Sequence, residues 1–309
     1  MANEKILTII TAPKAFRDPH ITTIQRNAFR SWKELGDQVQ VLVVGADAGV
    51  EQNTKDLELL HFDKVKCNQL GTPLIDSMLE IARQETQSPY LGIVNADIIL
   101  LPDLLNAIKR SGDRFEKFLL VGQRWDIEIR YELNYDELQP DRLKQKIISE
   151  GKLHPPMGSD FFIFPRSCFT QIPRFAIGRA GWDNWFIFKS RWEGWPVIDA
   201  TNDVIIAHQT HDYRHLPGGQ THYRLPETYE NVKRGGGEHT IFTLKDAQYQ
   251  LVEGRFNRIP LTGKKILREL EILPLTKLKS HLIGKIFFYL VRPKKAYTAL
   301  RDSIHKINR

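Results

Sequence analysis

Cysteine is almost absent: Cys67 and Cys168 are the only two in 309 residues. That excludes a disulfide framework and a cysteine-built metal site, and it points to a reducing compartment. Long apolar runs are also missing, and none nears the roughly 20 residues needed to cross a bilayer. The opening MANEKILTII leads straight into a strand, without the pattern of a secretory signal. A cytoplasmic location is therefore expected. No G-x-G-x-x-G loop follows the first strand, and no P-loop occurs. These absences argue against a dinucleotide fold and against P-loop chemistry. The glycine-rich loop of nucleotidyltransferases, internal repeats and low-complexity segments are missing too. The charge is unevenly placed along the chain. Residues 264–309 hold twelve Lys/Arg against three acids, a net +9, while the whole chain carries +7. The body is near neutral and the tail strongly basic.

What is present suits a soluble globular chain, with 41% hydrophobic and 26% charged residues. Residues 6–10 read as a short apolar strand. A helix follows with apolar spacing at Ile21, Ile24, Ala28, Trp32 and Leu35, and Gly36 ends it. A second strand, Val39–Val44, precedes a glycine-flanked turn around Asp47, a helix over 54–62 and a third strand at 64–66. A helix opened by Gly71-Thr72-Pro73 runs through Ala82. Then come a strand at Tyr90–Val94, a helix over 102–111 and a strand over 118–123. Further on lie a helix over 137–149 and strands at 161–164 and 204–207. This alternation predicts an α/β fold, a mostly parallel sheet flanked by helices. The glycines at 218–219 and 235–237 read as loop hinges.

The densest stretch is YLGIVNADIILL, residues 90–101. An apolar strand runs into Asn95-Ala96-Asp97, which puts Asp97 at a strand's carboxyl end, where open α/β sheets bind ligands. A carboxylate among apolar residues is costly to desolvate without a cation. Asp97 is thus either a ligand of Mg or Mn carrying a diphosphate or a cap on the next helix. A second dense stretch, IPRFAIGRAGWDNW, sets Asp183 between two tryptophans. A third, AHQTHDYRH, follows an apolar strand with histidines.

Taken in order, TAPKAF, VNADI, GSDFFIFPR, IPRFAIGRAGWDNW and AHQTHDYRHLPGG resemble the GT-A glycosyltransferases, nucleotide-diphospho-sugar transferases built on one Rossmann-like sheet. The resemblance spans about residues 6–251 and implies a fold, a chemistry and a set of roles. Thr11, Ala12 and Pro13 would line the base, and Asp47 would contact base or ribose. Asn95-Ala96-Asp97 would stand for the family's Asp-x-Asp, with Asn in place of the first acid. Asp97 would then hold Mn or Mg, with His208 or alternatively His211 as a further ligand. Asp183 would be the general base of an inverting transfer, or would position the acceptor in a retaining one. Asp160 would lie on the acceptor side, and Trp125, Trp182 and Trp185 would stack on sugar rings. The donor would be UDP-linked by default, with GDP as the alternative, and the acceptor a glycan or a lipid-linked hydroxyl. Residue by residue, other readings stand beside these: Asp183 as a helix cap, Asp160 and Asp47 as turn residues, His208 and the tryptophans as core. A non-catalytic nucleotide- or sugar-binding protein on the same fold is the reading that Asn95 favours.

The expected division is a catalytic domain over 1–255 and a basic amphipathic helical tail over 256–309, with its helices broken at Pro274 and Pro293. Leu275, Leu278, Leu282, Ile286 and Leu290 form an apolar stripe that Ile283 and Phe287 widen. The stripe either packs on the domain or seats on an anionic membrane surface. No nucleic-acid recognition motif is present, so nucleic acid is not an expected partner.

Overall fold

In the first strand, β1 (Leu7–Thr11), Leu7 and Ile9 point to one side and Ile10 to the other. The same alternation runs through β2 (Val39–Val44), where Val41 and Val43 join the first side and Leu42 and Val44 the second. Each side buries its own core, so helices must cover both faces. The computed structural model describes residues 4–135, 137–211, 225–295 and 297.

Helix α1 (Pro19–Lys33) covers the first face with Phe29 and Trp32. Asp18 caps it by accepting from His20 and Ile21 N–H. Helix α2 (Val50–Asp56), strand β3 (Leu60–Phe62), helix α3 (Ile75–Glu85) and strand β4 (Tyr90–Val94) follow. After the short β5 (Ile98–Ile99) come α4 (Asp103–Arg114), β6 (Leu119–Val121), β7 (Trp125–Ile127), α5 (Pro140–Glu150) and β8 (Lys152–Leu153). Then β9 (Phe161–Pro165), α6 (Trp182–Glu193), β10 (Val197–Asp199), β11 (Ala207–Gln209) and α7 (Pro226–Arg234) lead to the hairpin β12 (Tyr249–Val252) and β13 (Arg255–Arg258). Helices α8 (Gly263–Thr276) and α9 (His281–Val291) close the described chain.

The main sheet has nine strands in the order β13-β12-β10-β6-β9-β4-β1-β2-β3. It is parallel except for β9, which runs against β4 and β6, and β13, which runs against β12. The expected mostly parallel, helix-flanked sheet is present. Its second face is covered by α3 and α6, where Met78, Phe162, Phe164 and Phe186 pack together. A small sheet, β5-β11-β7-β8, lies beside it over a third core that includes Ile99, Ile127 and Ile147.

Several local expectations shift. The second helix ends at Asp56, because Glu58 turns the chain at φ 53°. The third strand is then at 60–62, in register with Leu42 to Val44, rather than at 64–66. Residues 204–206 are apolar but form no strand. Val204 N–H turns back to the Ala200 carbonyl, and pairing begins at Ala207. The glycines at 235–237 build a bonded turn rather than a hinge: Gly235 and Gly237 N–H donate to Asn231 and Val232 carbonyls. Helix α8 runs through Pro274 instead of breaking there. Strand β13 starts at Arg255, so a division at 255/256 cuts a hairpin. Residues 212–219 and 298–309, with the expected hinge at 218–219 and the end of the basic tail, lie outside the described residues. No described helix is long and apolar enough to cross a membrane.

Candidate functional site

The carboxyl ends of β1, β2, β4 and β6 share one edge of the sheet. Because β9 is antiparallel, its start lies at that same edge, with Phe161 opposite Val94. Asp160 therefore meets Asn95, and Asn95 N–H donates to the Asp160 carbonyl at 3.1 Å.

Asp97 sits just beyond β4 and is 8% exposed. Its backbone is clamped. Its carbonyl accepts from Gln209 N–H and Nε2, each at 3.2 Å. Trp32 Nε1 donates to the next carbonyl, that of Ile98, at 2.9 Å. Strand β11 lies beside β5 and brings His208 and His211 to the carboxylate. His211 Nε2 is 3.0 Å and His208 Nε2 4.0 Å from Asp97 Oδ2. One ligand atom from each of the three residues lies within 4.8 Å of the others. Lys14, which follows β1, also enters: its Nζ is 3.5 Å from Asp97 Oδ2 and 2.9 Å from His211 Nε2. Gln25 of α1 holds the Lys14 backbone by a pair of hydrogen bonds at 2.7 and 3.0 Å.

Burial opposes ionisation of Asp97. The Lys14 ammonium, the His211 hydrogen bond and the His208 charge outweigh it and hold the carboxyl well below its ordinary range. Burial pulls the Lys14 ammonium down, with the Asp97 charge and hydrogen bond working against it.

Two details test whether a divalent cation fits here. Asp97 Oδ1 is buried and has no hydrogen-bond partner among the described residues. In addition, one imidazole nitrogen cannot donate to Asp97 and accept from Lys14 at once, yet His211 Nε2 is within reach of both. A cation taking the nitrogen lone pair and the carboxylate would resolve both problems. The residues fit: a carboxylate and two imidazoles suit a first-row divalent ion. Imidazole donors also admit softer metals than an all-oxygen set.

A second layer holds this group. Asp126 of β7 accepts from His208 Nδ1 at 3.0 Å and from His154 Nδ1 at 2.7 Å. Burial opposes its ionisation, but those two bonds and the Arg124 charge keep its pKa far below normal. An ionised carboxylate only accepts, so His208 keeps a proton on Nδ1, and it is Nε2, on the Asp97 side, that a cation could take. Arg124 donates to Asp126 at 2.9 Å and to Asp160 Oδ2 at 2.6 Å. Asn95 Nδ2 donates to Asp160 Oδ1 at 2.6 Å.

Asp183 is the second residue of α6. Gly181, at φ +105°, occupies the cap position, where a side chain would press on Asn231 and Val232. The Asp183 carboxylate reaches back to accept from Gly181 N–H at 2.9 Å. Burial raises its pKa to about 6, and the Asp160 charge adds to that against the backbone donors. The Asp160 charge acts on both Asp183 and Lys14, raising the pKa of each.

Several expectations need correction. Asp160, expected on the acceptor side, is buried, with Oδ1 bonded to Asn95 and Oδ2 to Arg124. Asn95 likewise spends its amide on Asp160. Trp182 and Trp185 are core residues, packed on Phe162 and Phe175, and offer no platform to a sugar. Trp125 is half-buried against the third core. Asp183 is not the cap of α6. Thr11 and Pro13 are buried, leaving Ala12 with the surface a base would meet. Asp47 is exposed on the β2 loop, which the β1 loop touches through Phe16 N–H and the Ala48 carbonyl at 2.8 Å. His208 and His211, expected as alternatives, converge on one carboxylate. Lys14, Arg124, Asp126 and His154 join the site without an expected role. Only Lys14 carries a local signal, as the cation directly after the first strand's Thr-Ala-Pro.

No protein-family model matches the sequence, and no curated protein matches it. Solved structures do resemble it. One is a mannosyltransferase from Pyrobaculum calidifontis in complex with GDP-Man and Mn2+, at 13% identity and a TM-score of 0.42. That match covers 65% of this chain and 56% of the other, so the chain spans little over half its length. Another is glucosyl-3-phosphoglycerate synthase from Mycobacterium tuberculosis in complex with Mn2+, uridine-diphosphate and glucosyl-3-phosphoglycerate. There the identity is 12% and the TM-score 0.46, over 84% of this chain and 88% of the other. The same enzyme with Mn2+, uridine-diphosphate and phosphoglyceric acid matches at 14% identity and a TM-score of 0.47. Such likeness assigns no role to any residue.

Proposed function

We propose that the protein is a metal-dependent glycosyltransferase of the GT-A kind. It moves a sugar from a nucleotide-diphosphate sugar, UDP-linked by default or GDP-linked, to a hydroxyl of a glycan or lipid-linked acceptor. The observation that carries this reading is the convergence of Asp97, His208 and His211 at the carboxyl edge of a mostly parallel sheet. Mn or Mg held there would supply Lewis-acid support to a departing diphosphate. Lys14 adds a positive charge at the same place. Asp126 and Arg124 hold the ligands in orientation. Asp183 takes the acceptor's proton as its oxygen attacks the anomeric carbon. The new C–O bond forms as the bond to diphosphate breaks, the electron pair leaves with diphosphate, and the sugar's configuration inverts.

The test is incubation with UDP- and GDP-sugars, Mn and an acceptor panel, following free nucleotide diphosphate and the product's anomeric configuration. Metal-dependent release with inversion is expected. Nucleotide binding without turnover of any donor would favour a binding protein, and a retained configuration would remove Asp183 from the base role.

Asp126 provides a separate check. Asp126→Asn is expected to weaken Mn binding about ten- to a hundredfold, since the partner that fixes the His208 tautomer loses its charge. Unchanged affinity, read from the spin-resonance signal of free Mn, would mean that β-pairing alone orients His208.

A further inference from the structure

Helices α8 and α9 are joined by four residues and pack on each other, with Gly284 against Leu275. The inner side of the pair is committed to the body. Ile272, Leu275 and Phe288 are buried. Arg191 meets Glu269 at 2.7 Å, Arg268 meets Asp246 at 2.8 Å, and His281 stacks on Trp192 at 4.7 Å. The packing reading of the tail therefore holds for this side.

The outer side does the opposite. On α9, Leu282, Ile286 and Leu290 are 72%, 50% and 72% exposed, and Ile283, Phe287 and Val291 stand exposed beside them. Steps of four put these six in one stripe two residues wide. Helix α8 adds exposed Leu267 and Leu270. A surface this apolar in water marks an interaction site.

Charge decides what covers it. The acids Glu269 and Glu271 are turned to arginines: Arg191 on the first, and Arg268 and Arg292 on the second. Lys264, Lys277, Lys279 and Lys285 are exposed on the pair. A second copy would bring lysines against lysines. A surface both apolar within and anionic outside meets both demands. Helix α9 has eleven residues, about 16 Å of helix against a hydrocarbon core of about 30 Å. It can lie in the interface but cannot cross it.

We propose that the outer face of the α8–α9 pair seats in the headgroup region of an anionic phospholipid bilayer and holds the protein there as a peripheral anchor. This seating needs neither metal nor nucleotide, so it stands or falls separately from the transfer chemistry.

The test is flotation of the full chain with vesicles of phosphatidylcholine alone or mixed equally with phosphatidylglycerol. Flotation with the mixed vesicles, weakened by salt, is expected. Leu282→Glu, Ile286→Glu and Leu290→Glu together should reduce it at least about tenfold while the melting temperature holds. Lys277→Gln with Lys285→Gln should weaken flotation on anionic vesicles several-fold. Three results would overturn the proposal: no flotation of the wild-type chain, equal flotation of the triple variant, or a wild-type dimer that the triple variant turns into a monomer. A clear fall in the triple variant's melting temperature would also overturn it, because the face would then be packed against protein.

Discussion

Asp183→Asn is expected to lower kcat by about a hundredfold or more while donor affinity stays nearly unchanged. The amide keeps the volume and can still accept from Gly181 N–H, as the carboxylate does at 2.9 Å, but it cannot take a proton. With its pKa raised to about 6, the native carboxyl is mostly ionised at neutral pH and still basic enough to accept the acceptor's proton. The wild-type rate should therefore climb as pH rises through about 6 and level off above, and the variant should lose that step. Stability moves the other way. A carboxyl whose folded pKa lies above its unfolded value favours the fold at low pH. It loses that contribution as pH rises toward the folded pKa. At pH 7 and above, Asp183→Asn should then melt no lower than wild type. A variant with wild-type turnover would place the base elsewhere. Asp160 is a poor substitute, because Arg124 and Asn95 occupy both its oxygens.

Asp97→Asn is expected to weaken Mn binding at least about a hundredfold and to remove metal-dependent transfer. Asp97 is the carboxylate on which His208, His211 and Lys14 converge, and an amide brings neither charge nor two equivalent oxygens. Asp97→Ala should give the same loss of metal. The fold should survive either change, because the segment is held by its backbone through Gln209 and Trp32. Both His208→Ala and His211→Ala should weaken Mn binding. Wild-type affinity in either would remove that histidine from the metal.

The strands β1, β2, β4 and β6 and a helix-flanked sheet were legible in the sequence, because apolar runs alternating with helical spacing are a local signal; the short strands of the small sheet and the β12–β13 hairpin were not. Asp97 was legible for the same reason: a carboxylate at the end of an apolar strand is visible without knowing what surrounds it. The direction of β9 was not. An apolar run such as Phe161–Pro165 looks the same parallel or antiparallel, yet that direction is what brings Asp160 to Asn95 and Arg124. The tryptophans stayed open between core and sugar platform because an indole at a helix start has the same sequence whether it faces a sugar or, like Trp182, Phe162. Asp126 and His208 are 82 residues apart. No spacing rule links them, and only the small sheet pairing β7 with β11 does so. The two expected readings of the tail could not be parted in the sequence, because a helix pair has two sides: one packs on the body, and the other carries the membrane proposal.

The central claim is that Asp97, His208 and His211 hold a divalent ion for a nucleotide diphosphate. Calorimetric titration of the full chain with UDP and with GDP, in Mn and then in excess chelator, tests it most directly, with Fe, Co, Zn and Mg in parallel. One equivalent of nucleotide should bind in the presence of metal. Binding should be lost in chelator, and lost in Asp97→Asn with metal present. Equal nucleotide binding with and without chelator, or undiminished Mn binding by Asp97→Asn, would contradict it.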